Sequence, residues 1–475
     1  MQTSLKHFDL GIDFFDEVDP ARFPEHILRY RNQGWARRVG LGGLSDAQWI
    51  AHFGKFEPLE GSFARPLALR YHGHQFRSYN PDLGDGRGFL FAQLHDLVDG
   101  RLLDLGTKGS GTTPWSRSAD GRLTLKGGVR EVLATAMLEA LGVYTSKSFS
   151  LIETGEDLVR GDEPSPTRSA VLVRLSHTHI RIGTFQRLAY EQNAPALRRL
   201  VDHAVAVAIP EAARADADAR TVAFLEAVCG RVARMGAQWM VAGFVHGVLN
   251  TDNINVTGES FDYGPWRFLP VYDPAFTAAY FDHSGLYAFG RQPDTLLWNL
   301  VRLAECLLLL APQEELERVL AGYVPAFRRE LAAGVVRRLG LASRGEAADG
   351  DTSEAFWSFL RASQVPFEQV FFDWFGGAAR AARAHAGPAG VHYAGAAFDT
   401  WCRLLAPYMP AEPTRLGNVY FQDMQPCTML IEEVERIWAP IAAEDDWSVF
   451  EDKLAQIARM GAAYGTMPPE MPAGD

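Results

Sequence analysis

Residues 246–253 read His-Gly-Val-Leu-Asn-Thr-Asp-Asn, and residues 262–265 read Asp-Tyr-Gly-Pro. A site that handles nucleotide phosphates needs such groups. One carboxylate orients or deprotonates the attacking group, while a neutral oxygen ligand and a second carboxylate hold Mg²⁺. Residues 254–258 are predicted to form a short strand and turn that bring Asp262 back beside Asn253. Each of the two stretches alone is equally compatible with ordinary turns, which favour Asp, Asn and Gly for their geometry. The upstream sequence is therefore needed to distinguish a phosphate site from two such turns.

Composition narrows the class of protein. The chain has 475 residues, of which 47% are hydrophobic and 22% are charged, as in ordinary globular proteins. A net charge of -12 argues against nucleic acid or an anionic membrane as a partner. The four cysteines are widely spaced, which argues against a zinc site or disulfide framework and suits a reducing compartment. The N-terminal residues do not resemble a signal peptide, and the apolar stretch 303–311 is too short for a membrane span. We therefore expect a soluble, cytoplasmic protein.

The upstream sequence has the pattern of a small sheet. Leu83-Gly-Asp-Gly-Arg-Gly88 is a glycine-rich loop that leads into a predicted hairpin. The elements predicted from periodicity are the hairpin strands 89–94 and 102–108, a helix over 129–141, and strands over 148–153 and 170–175. Residues 1–60 are predicted to be an irregular arm with short helices over 24–33 and 45–52.

After Gly183 the apolar residues recur almost throughout with helical spacing. The predicted helices are 195–207, 221–241, 294–310, 313–323, 326–339, 396–405, 428–438 and 447–460. Residues 341–352 are predicted to be an exposed connection, and residues 376–390 a mobile helix or loop. This order predicts an α+β fold with a small sheet-rich N-lobe over 61–185 and a large helical C-lobe over 186–475, the latter carrying the loops at 246–265.

A few upstream side chains have the chemistry to bind phosphate. Backbone N–H groups around Gly84 and Gly86 can approach phosphate oxygens, and Arg87 can add a permanent positive charge, although an ordinary turn explains the tetrapeptide equally simply. Lys108 ends a predicted strand and is a natural phosphate clamp, for which Glu131 in the next helix can supply the carboxylate. The alternative is a solvated Lys108 and a Glu131 that complements the helix dipole.

Two arginines follow near the end of the last predicted strand. Arg174 would be costly to bury without an anionic partner, so Arg174 and Arg181 are candidates for bidentate phosphate binding or for structural ion pairs. The histidines lack metal-ligand spacing, and His246 is predicted to brace the loop before Asp252. The order of glycine loop, strand Lys, helix Glu, Asp-Asn and Asp-Tyr-Gly is difficult to obtain by chance.

Several stretches match one known family in order. They are Tyr71-His-Gly-His-Gln-Phe76, Leu83–Gly88, Lys108-Gly-Ser-Gly-Thr-Thr-Pro-Trp-Ser-Arg117, Asp120-Gly-Arg122, Arg130-Glu131, Arg174–Gly183, His246–Asn253, Asp262–Pro265, Tyr287-Ala-Phe-Gly-Arg-Gln-Pro293 and Trp298-Asn-Leu-Val-Arg-Leu303. The chain resembles the selenoprotein O family, a pseudokinase-like family with a protein kinase-like two-lobed fold that transfers AMP to proteins. The resemblance is strong over residues 65–305 and weak in the C-terminal third. The family often carries a selenocysteine or cysteine near the C-terminus, and residues 467–475 contain neither.

The resemblance implies roles for individual residues. The nucleotide would be bound by Gly84, Gly86, Arg87, Lys108, Asp120, Gly121, Glu131, Arg174, Arg181 and Asp262. Glu131 would act by pairing with Lys108, Asp252 would accept the proton, and Asn253 and Asp262 would hold Mg²⁺ or Mn²⁺. ATP would lie end for end relative to its position in a kinase, so that basic residues hold the terminal phosphates and the α-phosphate faces the incoming hydroxyl.

The function expected from this resemblance is transfer of AMP from ATP to a Ser, Thr or Tyr hydroxyl of a protein. Transfer of UMP from UTP is a variant that the sequence leaves open. A phosphotransferase would use the same Lys, Glu, Asp, Asn and Asp set, and a catalytically silent nucleotide-binding scaffold could share the fold. The four cations Arg87, Lys108, Arg174 and Arg181 favour AMP transfer over the kinase, and the intact Asp252, Asn253 and Asp262 argue against the silent scaffold.

Overall fold

A computed structural model describes residues 1–117, 120–161 and 163–466. The strands are β1 (Thr3–Ser4), β2 (Phe15–Glu17), β3 (Ile27–Arg31), β4 (Leu67–Leu69), β5 (Gly73–Gln75), β6 (Ser78–Asn80), β7 (Leu90–His95), β8 (Leu102–Lys108), β9 (Leu123–Thr124), β10 (Lys147–Leu158), β11 (Thr167–Ser176), β12 (Phe244–Val245) and β13 (Arg267–Phe268). Residues 467–475, the end of the predicted helical lobe, lie outside the described residues.

The helices are more numerous in the second half of the chain. They are α1 (Gln33–Arg38), α2 (Asp46–Phe53), α3 (Leu125–Ala140), α4 (Ile182–Tyr190), α5 (Ala194–Val207), α6 (Ala217–Val241), α7 (Gln292–Leu307), α8 (Gln313–Ala321), α9 (Tyr323–Arg338), α10 (Glu346–Ser363), α11 (Phe367–Asp373), α12 (Ala381–Ala386), α13 (Ala396–Leu405), α14 (Ile431–Glu444) and α15 (Ser448–Tyr464). Short 3₁₀ turns connect several of them.

In the described part of the chain, nine strands form one antiparallel sheet in the order β2-β4-β7-β8-β11-β10-β3, with β1 on β7 and β9 on β11. Successive residues of a strand point to opposite faces. Val171 and Val173 therefore join a core under α1 and α2, while Leu172 joins the larger core that includes α3 and the C-terminal helices. The expected mixture of strands followed by many helices is confirmed, and the sheet is larger than the small sheet that was predicted.

Residues 1–60 contribute to this sheet. The helix predicted over 24–33 is wrong, because Ile27–Arg31 is strand β3 and pairs with β10 through Leu151↔Tyr30 and Ser150↔Arg31. That partner lies more than a hundred residues away, and local periodicity cannot reveal it. The short helix predicted over 45–52 is present as α2, which begins with a Ser45–Gln48 capping box. The boundaries proposed at residues 60 and 185 stay predictions.

Two predicted connections contain helices. The connection predicted over 341–352 is wrong from Glu346 onward, where α10 begins. Asp349 is buried there and accepts hydrogen bonds from Ser343, the Arg344 N–H and Tyr408, so a polar-looking stretch is held in place by tertiary contacts. Residues 376–390 contain a 3₁₀ turn and α12. None of the described helices has the length and apolar character that crossing a bilayer requires.

Candidate active site

A cleft of about 660 Å³ opens where the ends of the sheet strands meet the segment 246–265. The antiparallel pair β12–β13 brings the two ends of that segment together. Residues 254–258 do not form the predicted strand; instead Asn255 makes an isolated bridge with Arg181. The residues that line the cleft are Tyr71, Gln75, Leu83, Gly84, Asp85, Gly86, Arg87, Gly88, Thr107, Lys108, Trp115, Ser116, Arg117, Arg174, Arg181, Val248, Asn250, Asp252, Asn253, Asp262, Gly264 and Pro265.

Lys108 lies between two carboxylates. Its Nζ is 2.5 Å from Glu131 Oε1 and 2.9 Å from Asp262 Oδ1. Lys108 ends β8, and Glu131 is fully buried on α3, which packs on the same sheet. The structure therefore brings together the Lys108–Glu131 pair expected from the sequence. Because Lys108 also bonds Asp262, the ammonium links the sheet to the segment 246–265.

Asp262 is surrounded by positive charge. Arg174 lies on β11, and one of its guanidinium nitrogens is 3.0 Å from Asp262 Oδ1. Burial alone would raise the pKa of Asp262, but the charges of Lys108, Arg174 and Arg87 outweigh that effect and hold the pKa well below its ordinary value. Asp262 also adopts φ +63°, a left-handed conformation that is uncommon outside glycine. A strained, permanently ionised carboxylate thus faces the cleft.

Asp252 has the opposite environment. It is buried, and its Oδ1 has no hydrogen-bond partner among the described residues. Burial raises its pKa to about 6, with Arg181 opposing the shift. The nearest cationic contact is indirect, since Arg181 donates to the backbone carbonyl of Asp252 at 3.3 Å rather than to its carboxylate. A carboxylate in this state is able to accept a proton from a bound hydroxyl.

Contacts with Asp85 and Tyr71 hold Arg181 in place. It donates to Asp85 at 3.4 Å, and its guanidinium lies 4.2 Å from the centre of the Tyr71 ring. The hydrogen bonds Ile182 N–H to Ile254 O and Val256 N–H to Ile180 O pull the adjacent backbones together. This pairing places Arg181 beside Asp252. Neither Tyr71 nor Asp85 was identified as a site residue from the sequence.

His246 braces the segment as predicted. Its Nε2 lies 2.9 Å from the carbonyl oxygen of Phe261, directly before Asp262. Burial lowers the pKa of the imidazole, so the ring is neutral and carries its proton on Nε2 for this bond. His246 therefore joins the start of the segment to the residue before Asp262 and is not among the residues that line the cleft.

The oxygen donors of the cleft fit a magnesium or manganese ion. Asn253 donates through Nδ2 to the Val248 carbonyl at 3.1 Å, which leaves its Oδ1 without a partner among the described residues. Asp262 uses only Oδ1 for Lys108 and Arg174. Within the described ranges, no group of three or more His, Cys, Asp or Glu residues could enclose a metal. Mg²⁺ is commonly held by one or two carboxylates plus substrate phosphates, so two protein oxygens are compatible with such an ion.

Gly84 and Gly86 line the cleft, but for a different reason from the one the sequence indicated. Neither has positive φ. A Cβ at Gly84 would come within 2.4 Å of the Trp115 ring, and one at Gly86 within 2.9 Å of the Trp115 carbonyl oxygen. The glycines therefore permit the loop 109–117 to pack against the loop 83–88. Arg87 is exposed at the rim of the cleft.

Asp120 and Gly121 are not among the residues that line the cleft. Asp120 is exposed and pairs with Arg160 at 3.0 Å. Gly121 has φ +72° and packs so closely on Gly111 that a Cβ would lie 2.2 Å from its carbonyl carbon. The adjacent residues 118 and 119 lie outside the described ranges. Nucleotide contact by Asp120 and Gly121 stays a prediction.

Sequence inspection also missed Arg117 as a site residue. Arg117 lines the cleft, is exposed, and has no hydrogen bond or ion pair within the described residues. Its charge acts on Asp252, whose pKa it lowers slightly against the larger effect of burial. Only its position at the end of the motif 108–117 could have identified it, because a single arginine in a polar loop has no periodic pattern.

Comparison with known proteins gives a consistent family. The family model described as "Protein adenylyltransferase SelO" matches residues 2–458. The chain is 44% identical over 458 residues to the "Protein nucleotidyltransferase YdiU" of Gloeobacter violaceus, covering 95% of this chain and 93% of that protein. It is 43% identical over 467 residues to the protein of the same name from Synechocystis sp., covering 94% and 96%.

A protein of that name from Synechococcus elongatus is 50% identical over 337 residues, which are 70% of this chain and 66% of that protein. The family expected from the sequence motifs is confirmed by these matches. The chain belongs to the SelO family of protein adenylyltransferases.

Proposed function

We propose that this protein transfers AMP from ATP to a Ser, Thr or Tyr hydroxyl of a protein and releases pyrophosphate. The fold we propose is a two-lobed, protein kinase-like one in which the sheet and the helices form the two walls of the cleft. Family membership supports nucleotidyl transfer. The observation that carries the proposal is the unequal charge of the cleft: Lys108, Arg174 and Arg87 surround Asp262, whereas Asp252 has no partner for Oδ1.

This distribution supports an inverted nucleotide. The pyrophosphate that leaves in AMP transfer carries more negative charge than the ADP that leaves in a kinase reaction, so it needs more cations to stabilise it. Arg87 and Arg117, both exposed at the rim, have charge to offer to terminal phosphates. The α-phosphate would then lie toward Asp252. A kinase requires the opposite orientation, with the γ-phosphate beside the catalytic carboxylate.

The proposed step is an in-line substitution at the α-phosphorus. The acceptor hydroxyl oxygen forms a bond to that phosphorus, the bond from it to the bridging oxygen of the β-phosphate breaks, and Asp252 accepts the hydroxyl proton. Lys108 and Arg174 stabilise the charge that develops on pyrophosphate, and Glu131 keeps Lys108 in position. Asn253 and Asp262 would hold Mg²⁺ or Mn²⁺, which supplies further charge neutralisation at the phosphates when bound.

The test is a pair of parallel reactions with Mg²⁺, one with ATP labelled on the α-phosphate and one with ATP labelled on the γ-phosphate. Protein that acquires only the α-label supports AMP transfer. Protein that acquires only the γ-label identifies a kinase and contradicts the proposal. Nucleotide binding without either label identifies a silent scaffold. A third reaction with α-labelled UTP determines whether UMP is also transferred.

A further inference from the structure

A short hairpin runs directly along the segment that carries Asp252. Strands β5 and β6 pair with each other, and β5 lies against residues 250–252. The backbone N–H of His74 donates to Thr251 Oγ1 at 2.7 Å, and that of Phe76 donates to Asn250 Oδ1 at 3.1 Å. A Cβ on Gly73 would come within 3.0 Å of Asp252 Oδ1. The hairpin tip is thus fixed relative to the proposed proton acceptor.

The tip of this hairpin has an unusual sequence. Gln75 pairs with Ser78, so Phe76 and Arg77 are the two loop residues. They have φ +50° and +65°, which are the signs required in a type I′ turn. Such turns favour Asn-Gly, because a bulky residue at positive φ is strained. A Phe-Arg pair at this position lowers the stability of the turn relative to Asn-Gly. Backbone strain of this kind is characteristic of functional sites.

The side chain of Phe76 is used at the surface rather than in the core. It is 40% exposed, and its ring lies 5.8 Å from that of Phe281. Phe281 is 43% exposed and lies 5.1 Å from Tyr280, which is 78% exposed. We call these three residues the aromatic patch. A cluster of exposed large apolar side chains on one side of a cleft is typical of an interaction surface.

The patch is held rigidly against the cleft. Tyr287 donates to Asn250 Oδ1 at 2.8 Å, and its ring lies 5.0 Å from that of Phe76. On the other side, Arg77 lies over the Trp298 ring at 5.7 Å. Asn250 lines the cleft two residues before Asp252. Because Asn250 accepts hydrogen bonds from both the Phe76 N–H and Tyr287, the patch begins beside the residue that lies two positions before Asp252.

We propose that the aromatic patch binds an apolar side chain of the acceptor polypeptide, within a few residues of the hydroxyl that receives AMP. This inference rests on the proposed function, since it assigns the acceptor side of the same site. The occupant follows from position: a polypeptide whose hydroxyl reaches Asp252 has to pass the edge of the cleft, and the exposed aromatic patch adjoins the lining residues Gln75 and Asn250. Burial of one apolar side chain there adds to the affinity for the acceptor.

The test uses a peptide library with one central Ser, Thr or Tyr, in which each flanking position is Phe, Leu, Asp or Lys in turn. With α-labelled ATP and Mg²⁺, we expect Phe or Leu to raise kcat/KM about tenfold over Asp at one position within about three residues of the hydroxyl. Phe76→Asn/Arg77→Gly and Tyr280→Ser/Phe281→Ser should both lose this preference while keeping the wild-type affinity for ATP. Val391→Ser, which alters an apolar residue 85% exposed elsewhere, is the matched control and should keep it.

The variants also distinguish the possible failures. Asn-Gly suits the positive φ values, so Phe76→Asn/Arg77→Gly should melt at or above the wild-type Tm. Peptides that acquire the α-label without any flanking preference, or with the same preference in both patch variants, would overturn the inference and leave AMP transfer intact. A change of oligomeric state in the patch variants with unchanged peptide preference would assign the patch to a second copy of the chain and overturn it equally. Wild-type enzyme that labels no peptide and not itself would overturn both proposals.

Discussion

Asp252 and Asp262 line the same cleft and belong to the same segment, yet they differ in the cations that contact their carboxylates. Asp262 bonds Lys108 and Arg174 through one oxygen, and its pKa lies well below the ordinary value. Asp252 is buried with one oxygen unpartnered, and its pKa rises to about 6. Opposite shifts of two neighbouring carboxyl groups separate a residue that keeps its charge from one that can take up a proton. Position in the same cleft therefore does not by itself define the state of a carboxyl group; its partners and its burial do.

Replacing the paired carboxylate should have the largest effect. Asp262→Asn removes an anionic oxygen from the proposed metal site and frees Lys108 and Arg174, so we expect AMP transfer to fall about 10³-fold. The Mg²⁺ concentration needed for half-maximal transfer should rise as well. Initial rates of α-label transfer over a Mg²⁺ series measure both quantities. The control is Asp273→Asn, at an exposed acidic residue that follows Asp262 in the sequence. Equal transfer rates in the two variants would contradict the assignment.

Replacing the unpartnered carboxylate should affect the chemical step alone. Asp252→Asn cannot accept the hydroxyl proton, and we expect kcat to fall about 10²-fold. Affinity for ATP and the Mg²⁺ dependence should stay at wild-type values, because Asp252 is not assigned to the metal or to the phosphates. Single-turnover transfer and equilibrium binding of a non-hydrolysable ATP analogue separate the two. A variant with weakened metal dependence and unchanged kcat would show that the roles of the two residues are reversed.

A smaller effect is expected for Lys108, whose ammonium lies between Glu131 and Asp262. Lys108→Met removes one charge-assisted hydrogen bond to phosphate, and affinity for ATP should fall about tenfold. It also leaves Glu131 buried without its partner, so urea unfolding should report a loss of stability. Lys126→Met, on the outer face of the same helix as Glu131 and paired with Glu435, is the matched control. Wild-type ATP affinity in a folded Lys108→Met protein would remove Lys108 from the nucleotide site.

A third buried carboxyl group sharpens the comparison. Glu259 is buried outside the cleft and accepts a hydrogen bond of 2.7 Å from the backbone N–H of His177. Burial raises the pKa of Glu259 to about 7. Because the folded state binds this proton more tightly, the contribution to stability is fully present below about pH 4.5 and is lost as pH rises through about 7. The expected loss is roughly 3 kcal/mol. A raised pKa outside a cleft is thus a matter of stability.

Glu259→Gln should remove this part of the pH dependence without changing AMP transfer. Urea unfolding of the wild type and the variant from pH 4 to pH 8 measures the difference, with Glu315→Gln at an exposed glutamate as the control. Parallel stability curves for wild type and Glu259→Gln would contradict the assignment. Lost transfer in a fully folded Glu259→Gln protein would show that burial outside the cleft does not separate structural from catalytic carboxyl groups here.

The sequence predicted those parts of the fold and site that depend on short-range pattern. The hairpin β7–β8 and the helices α3, α6, α7, α9 and α15 follow from periodicity, whereas α10 does not. Lys108 and Glu131 were paired correctly because Lys108 ends a strand and Glu131 lies on the helix that follows it in the chain. Strand β3 was assigned to a helix because the strand with which it pairs, β10, is distant in sequence. Long-range pairing of this kind overrides local preference.

The rest of the site depended on tertiary contacts. The hairpin β5–β6 is short and was not predicted, since three residues per strand contain too little alternation to detect. Gly84 and Gly86 were expected to be glycine for their backbone freedom, whereas the reasons are the close approach of the Trp115 ring to Gly84 and of the Trp115 carbonyl to Gly86. The different pKa values of Asp252 and Asp262 depend on burial and on cations from β8 and β11, which no motif specifies.

In the proposed orientation, the α-phosphate of ATP lies toward Asp252, and the terminal phosphates lie among the cations around Asp262. The most direct measurement is a crystal structure of the wild-type protein with a non-hydrolysable ATP analogue and Mn²⁺. We expect the γ-phosphate to lie among Lys108, Arg87 and Arg117 and the α-phosphate to lie on the side of Asp252. We expect the metal to be bound by Asn253 and Asp262. A γ-phosphate beside Asp252, with the adenine in the interior of the cleft, would contradict this orientation and identify a kinase.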